Sequence, residues 1–268
     1  MIKPYIELLK KSLTFLLWDK GYLSIDYVDY SYSRLKRIIV FFAKKVFEKF
    51  DYKIMREQSP SPQAHTMIPL TALDNIESCF EDVIRTNVKG DFVEAGVWRG
   101  GACIFMRGLL KAYGITDRKV FVADSFQGLP KPEWEEDNGD KHHTYKYLEV
   151  SLEEVKNNFK KYDLLDSQVV FLKGWFKDTL QTPQIEKLAI LRLDGDMYGS
   201  TMETLIALYP KLSKGGYCII DDWNLPNAKK AVVKYRTKNN ITDKIKVIPY
   251  NTSGVHGQSV YSVYWKKL

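Results

Sequence analysis

From residue 92 onward the chain alternates short apolar runs with stretches of helical period, and that alternation leaves few architectures open. The apolar runs are Phe92–Val97, Val120–Ala123, Val169–Leu172, Leu188–Leu193, Tyr217–Ile220, Lys246–Pro249 and Val260–Trp265. Helical spacing fills Ala102–Tyr113, Leu152–Lys161, Met202–Leu212 and Asn227–Thr237, with a capping box at Ser151-x-x-Glu154 before the second of these. Strands of this kind are buried on both faces by crossover helices, so the pattern predicts an α/β fold around a seven-stranded, mostly parallel sheet. Ligands of such open sheets bind at the carboxyl ends of the strands, beside the point where strand order reverses.

The unusual residues of this chain sit at those ends. The run LAILRL delivers Asp194 and Asp196, and YCII delivers Asp221 and Asp222. If the two runs are neighbours, four carboxylates converge, and like charges that close repel and raise one another's pKa unless a cation lies among them. Hard oxygen donors suit Mg²⁺, Mn²⁺ or Ca²⁺ better than softer metals. The alternative is local: aspartates that cap helices, with Ser200-x-x-Glu203 as a second capping box starting the next helix.

Three further strand ends carry chemistry. FVEAGVWRGG, residues 92–101, is a glycine-rich turn whose Gly96, Gly100 and Gly101 permit close backbone approach to a ligand. Its spacing is not that of a dinucleotide fold, and Glu94 within it repels a pyrophosphate while suiting a cationic or amino ligand. Asp124, ending the next run, is placed to accept hydrogen bonds from a ribose diol, or else to cap a helix. After the third run, Trp175 and Phe176 offer aromatic faces to a base, or ordinary packing at the sheet edge.

Elsewhere the sequence is less specific. Residues 127–147 form a long polar excursion that includes His142 and His143, the expected place for a lid or binding loop. Near the start, Tyr5–Trp18 and Leu35–Phe50 have helical spacing, and the second is basic enough to lie on a membrane surface or on another subunit. A further helix leads from about Leu70 toward Gly90. The net charge of +7 is spread over many surface lysines, and no zinc-finger or RNA-binding pattern points to nucleic acid. Three widely spaced cysteines, with no secretory or membrane-spanning segment, suggest reduced thiols in a cytoplasmic protein.

These motifs together resemble the macrocin O-methyltransferase family, Mg²⁺-dependent enzymes that use S-adenosylmethionine to methylate sugar hydroxyls of macrolide and aminocoumarin antibiotics. The resemblance is carried by AHTM (64–67), GDFVEAGVWRGGACIFMRGLLKAYG (90–114), VADSFQGLP (122–130), FLKGWFKDTL (171–180), LRLDGDMYGSTM (191–202) and LYPKLSKGGYCIIDDW (208–223). It implies a Rossmann-like class I methyltransferase domain over residues 64–268, a helical extension over 1–63 that serves substrate and oligomer contacts, and a lid at about 127–147. It further implies that Thr66, Met67, Glu94, Ala95, Gly96, Gly100, Asp124, Ser125, Gly174, Trp175 and Asp194 surround S-adenosylmethionine. Asp194, Asp221 and Asp222 would then hold Mg²⁺ or Mn²⁺, Asp196 would take the hydroxyl proton, and His142, His143 and Tyr198 would face a glycosylated small molecule or glycan. One position departs from the family pattern, with Gly199 where an acidic residue is expected. Two other readings compete: a glycosyltransferase using Asp194-Gly195-Asp196 to hold Mn²⁺ on a nucleotide sugar, and a non-catalytic membrane-surface protein on the same fold.

Overall fold

A computed structural model describes residues 2–17, 63–249 and 261–268. The expected helix Leu35–Phe50 lies outside the described residues. Among those described, α1 (Ile2–Leu13) and α2 (Leu70–Arg85) precede β1 (Asp91–Ala95), α3 (Gly101–Ala112) and β2 (Val120–Asp124). Three short 3₁₀ turns follow, at Glu135–Asp137, His142–Thr144 and Lys146–Leu148. Then come α4 (Leu152–Lys161), β3 (Val169–Lys173), α5 (Phe176–Thr179), β4 (Leu188–Leu193), α6 (Tyr198–Leu208), β5 (Leu212–Ile220), α7 (Pro226–Lys238), β6 (Lys246–Ile248) and β7 (Ser262–Lys266).

The strands form one seven-stranded sheet in the order β3-β2-β1-β4-β5-β7-β6. The first five in that order pair in parallel, and β7 enters antiparallel between β5 and β6. This is the seven-stranded, mostly parallel sheet expected from the apolar runs, in the class I methyltransferase arrangement that the family resemblance implies. Strand order reverses between β1 and β4, which sets the ligand crevice at the ends of those strands.

The sheet is covered on both faces. One core gathers Phe80 of α2, Phe105 and Leu109 of α3 and Phe159 of α4, and it takes in Ile6, Leu9 and Leu13 of α1. The other joins Leu191 and Leu193 of β4 to Leu205 of α6, Val232 of α7 and Trp265 of β7. Helix α1 is therefore part of the sheet's own covering layer. Its Leu9 packs so closely on α3 that a Cβ at Gly108 would come within 2.3 Å of it.

One helix start differs from expectation. The Ser151 hydroxyl accepts the Glu154 N–H at 3.2 Å, as its capping box predicts. The second box, Ser200-x-x-Glu203, does not start a helix, because α6 begins earlier, at Tyr198. Its first N–H groups, from Tyr198 and Gly199, are both taken at 2.8 Å by the carboxylate of Asp137 in the 127–147 excursion. A cap supplied through space has displaced the local one, and Ser200 becomes a buried helix-interior residue.

Candidate active site

The glycine turn after β1 is built against the end of β4. Gly96 has φ +88, and a Cβ there would come within 1.6 Å of the Asp194 carbonyl oxygen, so only glycine fits. Its N–H donates to the Ala123 carbonyl at 2.9 Å, tying the turn to β2. Asp124, ending β2, holds the same turn from the side: Oδ2 accepts the Val97 N–H at 2.8 Å and Oδ1 the Phe126 N–H at 2.7 Å. Burial raises the Asp124 pKa, and those backbone donors oppose the rise.

Above the turn opens a cavity. Met67, Gly96, Asp124, Ser125, Gly174 and Trp175 line one part, and Asp194, Gly195 and Asp196 line another. The excursion after β2 closes it with Leu129, Trp134 and Asp137. Seven of the eleven positions implied for the cofactor therefore share one cavity: those six and Asp194. The other four lie beneath its lining. Thr66 packs over Gly101, Gly100 abuts Val155, and Ala95 and Glu94 are buried in β1. Glu94 accepts the Cys103 thiol at 2.9 Å through Oε2 and pairs with Arg192 through Oε1.

Arg192 is the residue that spacing alone passed over. It sits in LAILRL, a run read as apolar, and it is 1% exposed. Parallel register places it directly beside Glu94 on β1. Its Nη1 also donates to Asp194 Oδ2 at 2.8 Å, and Nη2 lies 2.7 Å from Asp221 Oδ1. The available signal was the charge itself, since an arginine in a strand buried on both faces has to be paired.

The acidic residues meet as expected. Asp194, Asp221 and Asp222 each offer one oxygen within 4.8 Å of the others. Burial and the neighbouring carboxylates push the Asp194 and Asp222 pKa values well above the ordinary range. Asp196 has φ +58, a left-handed conformation that its N–H stabilises by donating to Asp222 Oδ2 at 2.8 Å. Its pKa is pushed up to about 6, chiefly by burial, with His142 opposing the rise and Asp221 and Asp140 adding to it.

None of the three residues expected to face the acceptor lines the cavity; His142 is held by Asp140, whose Oδ2 lies 2.8 Å from Nδ1, and it opposes the rise in the Asp196 pKa. Buried Nδ1 of His143 has no hydrogen-bond partner among the described residues. Tyr198 is fully buried behind Trp134, with ring centroids 5.5 Å apart, and does not line the cavity. Gly199, the departure from the family pattern, is filled from outside: a Cβ there would lie 2.4 Å from Cδ1 of the Trp134 indole. Trp134 and Asp137 gave no sequence signal, because both act on α6 from a polar loop more than sixty residues away.

Comparison with known proteins agrees with this geometry. The chain is 54% identical over 200 residues to demethyldecarbamoylnovobiocin O-methyltransferase of Streptomyces niveus, covering 73% of this chain and 76% of that one. It is 48% identical over 210 residues to mycinamicin III 3''-O-methyltransferase of Micromonospora griseorubida, covering 76% and 79%. The solved structure of the O-methyltransferase NovP superimposes with a TM-score of 0.81 at 42% identity, covering 100% of this chain and 99% of NovP. A calicheamicin methyltransferase, CalS11, shares the fold at a TM-score of 0.60 and 17% identity. The sequence profile of the macrocin-O-methyltransferase (TylF) family matches residues 2–266, and the chain belongs to that family of O-methyltransferases.

Proposed function

We propose that this enzyme transfers the methyl group of S-adenosylmethionine to a sugar hydroxyl of a glycosylated natural product, with a divalent cation, Mg²⁺ or Mn²⁺, at Asp194, Asp221 and Asp222. The observation that carries the reading is one cavity at the strand-order reversal, with the Asp124 turn on one side and Asp194 and Asp196, after β4, on the other, where Asp194 meets Asp221 and Asp222. The names of the relatives support the acceptor class, since they act on glycosylated antibiotics or their precursors. Membership of an O-methyltransferase family removes the nucleotide-sugar reading of Asp194-Gly195-Asp196.

The donor set fits a hard cation. Three aspartates offer oxygen atoms only, and Glu94, Asp194 and Asp221 share a single guanidinium, that of Arg192. When bound, such an ion stabilises a developing alkoxide as a Lewis acid. Asp124 and Ser125 would hold the nucleoside end of the donor, and Met67 and the Gly96 turn its methionine end, since all four line the one cavity. The acceptor oxygen attacks the sulfonium methyl carbon, an O–C bond forms as the S–C bond breaks, and S-adenosylhomocysteine leaves. Asp196 takes the hydroxyl proton, and a carboxylate with a pKa of about 6 is ionised at neutral pH yet basic enough to accept it. Loop residues 127–147, seated by Asp137 and Trp134, keep water out while this happens.

The test is methyl transfer from radiolabelled S-adenosylmethionine to demethyldecarbamoylnovobiocin and mycinamicin III, with EDTA and with Mg²⁺ restored. Transfer that stops in EDTA and returns with Mg²⁺ is expected. Undiminished transfer in EDTA refutes the metal, and no transfer to any glycosylated acceptor, despite S-adenosylhomocysteine binding, refutes the acceptor class.

A further inference from the structure

We infer that Arg192 is a positioning residue for the cation site: its planar guanidinium fixes one oxygen each of Asp194 and Asp221, so that the ligand set is assembled before any ion arrives. The inference rests on the metal reading above and names a residue that reading does not need. Three neighbouring strands meet at this side chain. Glu94 comes from β1, Asp194 follows β4 and Asp221 follows β5.

The contacts divide each aspartate in two. Asp194 Oδ2 accepts from Arg192 Nη1 at 2.8 Å, while Asp221 Oδ1 lies 2.7 Å from Arg192 Nη2 as an ion pair and accepts the Ser262 hydroxyl at 3.1 Å. Asp222 gives Oδ2 to the Asp196 N–H at 2.8 Å. These contacts leave Asp194 Oδ1 and Asp221 Oδ2 to a ligand. Partners that hold the far side of metal ligands in this way commonly set affinity as strongly as a ligand does.

A simpler role for Arg192 is charge balance. In that case any buried monocation serves, and lysine replaces arginine without loss. Positioning demands more, because three carboxylates are reached at once only by a rigid fork of donors, and the ammonium of lysine is a point charge on a flexible stem. The two roles therefore differ in what Arg192→Lys does to a property that involves no catalysis.

The experiment is a titration of the full-length chain with Mn²⁺, free ion being read by electron paramagnetic resonance, for wild type and R192K, each first shown to melt cooperatively in EDTA. Positioning predicts that R192K binds Mn²⁺ about 10- to 100-fold more weakly. If R192K binds within about twofold of wild type, the inference fails while the metal reading stands. If wild type binds no Mn²⁺, the metal reading fails and takes the inference with it. Should R192K not fold, ¹⁵N-arginine spectra of the wild type decide. Resolved Nη signals for Arg192 in EDTA that persist in saturating Mg²⁺ support a guanidinium that stays on the ligands. Collapse to one averaged signal when Mg²⁺ is added overturns it.

Discussion

The indole of Trp134 occupies the space that a side chain at Gly199 would fill, its Cδ1 lying 2.4 Å from the position of that missing Cβ. The loop after β2 thus seats an aromatic ring on α6 where the family pattern leads one to expect an acidic group. Gly199→Ala is expected to destabilise the protein by about 1 kcal/mol, the low end of overpacking because the half-exposed ring can shift. In a Trp134→Ala background the same change should be close to neutral. Urea denaturation of the four proteins of this cycle measures the coupling, and equal losses in both backgrounds remove the proposed fit.

Asp137 should matter beyond its own loop. Its carboxylate satisfies two N–H groups of the first turn of α6 and complements the positive end of that helix. Asp137→Ala is expected to lower stability by about 1–2 kcal/mol. It should also open the 127–147 loop to limited proteolysis, which S-adenosylhomocysteine then slows. Unchanged cleavage would show that the cap does not hold the loop.

Substitution of Asp196 separates chemistry from binding. Asp196→Asn is expected to reduce kcat by about 10²- to 10⁴-fold, the usual worth of a general base, while the calorimetric Kd for S-adenosylhomocysteine changes little. A matched loss in both quantities reassigns Asp196 to binding.

His65 gives the fold a pH dependence unconnected with catalysis. Its ring lies 2.8 Å from the Tyr162 hydroxyl, and its backbone N–H reaches the Leu13 carbonyl at the end of α1. Burial, with Lys161 and Arg99 nearby, lowers its pKa to about 4. The folded protein thus refuses a proton that the unfolded chain accepts below about pH 6.5, so stability falls as pH drops from about 6.5 toward 4. With partial solvent screening the loss is at most about 2 kcal/mol, and His65→Gln should flatten that part of the curve.

All three cysteines are buried, and burial pushes each thiol pKa up. Native protein should therefore resist a thiol-reactive reagent at pH 8 that modifies the guanidinium-unfolded chain fully. Rapid native labelling contradicts the packing described for Cys103 against Glu94.

How much of this was legible depended on the range of the interaction. The apolar runs, the glycine turn and the Asp221-Asp222 pair are local features, and each appears where its sequence neighbours place it. The start of α6 was misplaced because the cap that won belongs to Asp137, which carries no helix signal of its own. Arg192 was visible but absorbed into an apolar run, although one charge within a doubly covered strand already implies carboxylates beside it. Four residues implied for the cofactor, Thr66, Glu94, Ala95 and Gly100, lie under the cavity lining, because motif positions record both the surface of a pocket and the packing that shapes it.

The place of β7 has a consequence for biosynthesis. It follows β6 in sequence, yet it lies between β5 and β6. While the chain is still being made, β5 waits with an open edge, the kind of exposed template that invites association with other nascent chains. The Ser262 hydroxyl, at the start of β7, is also what anchors Asp221 from behind. The carboxylate cluster is therefore finished only when β7 has joined the sheet, so a chain that lacks β7 has neither a covered β5 edge nor the anchor behind Asp221.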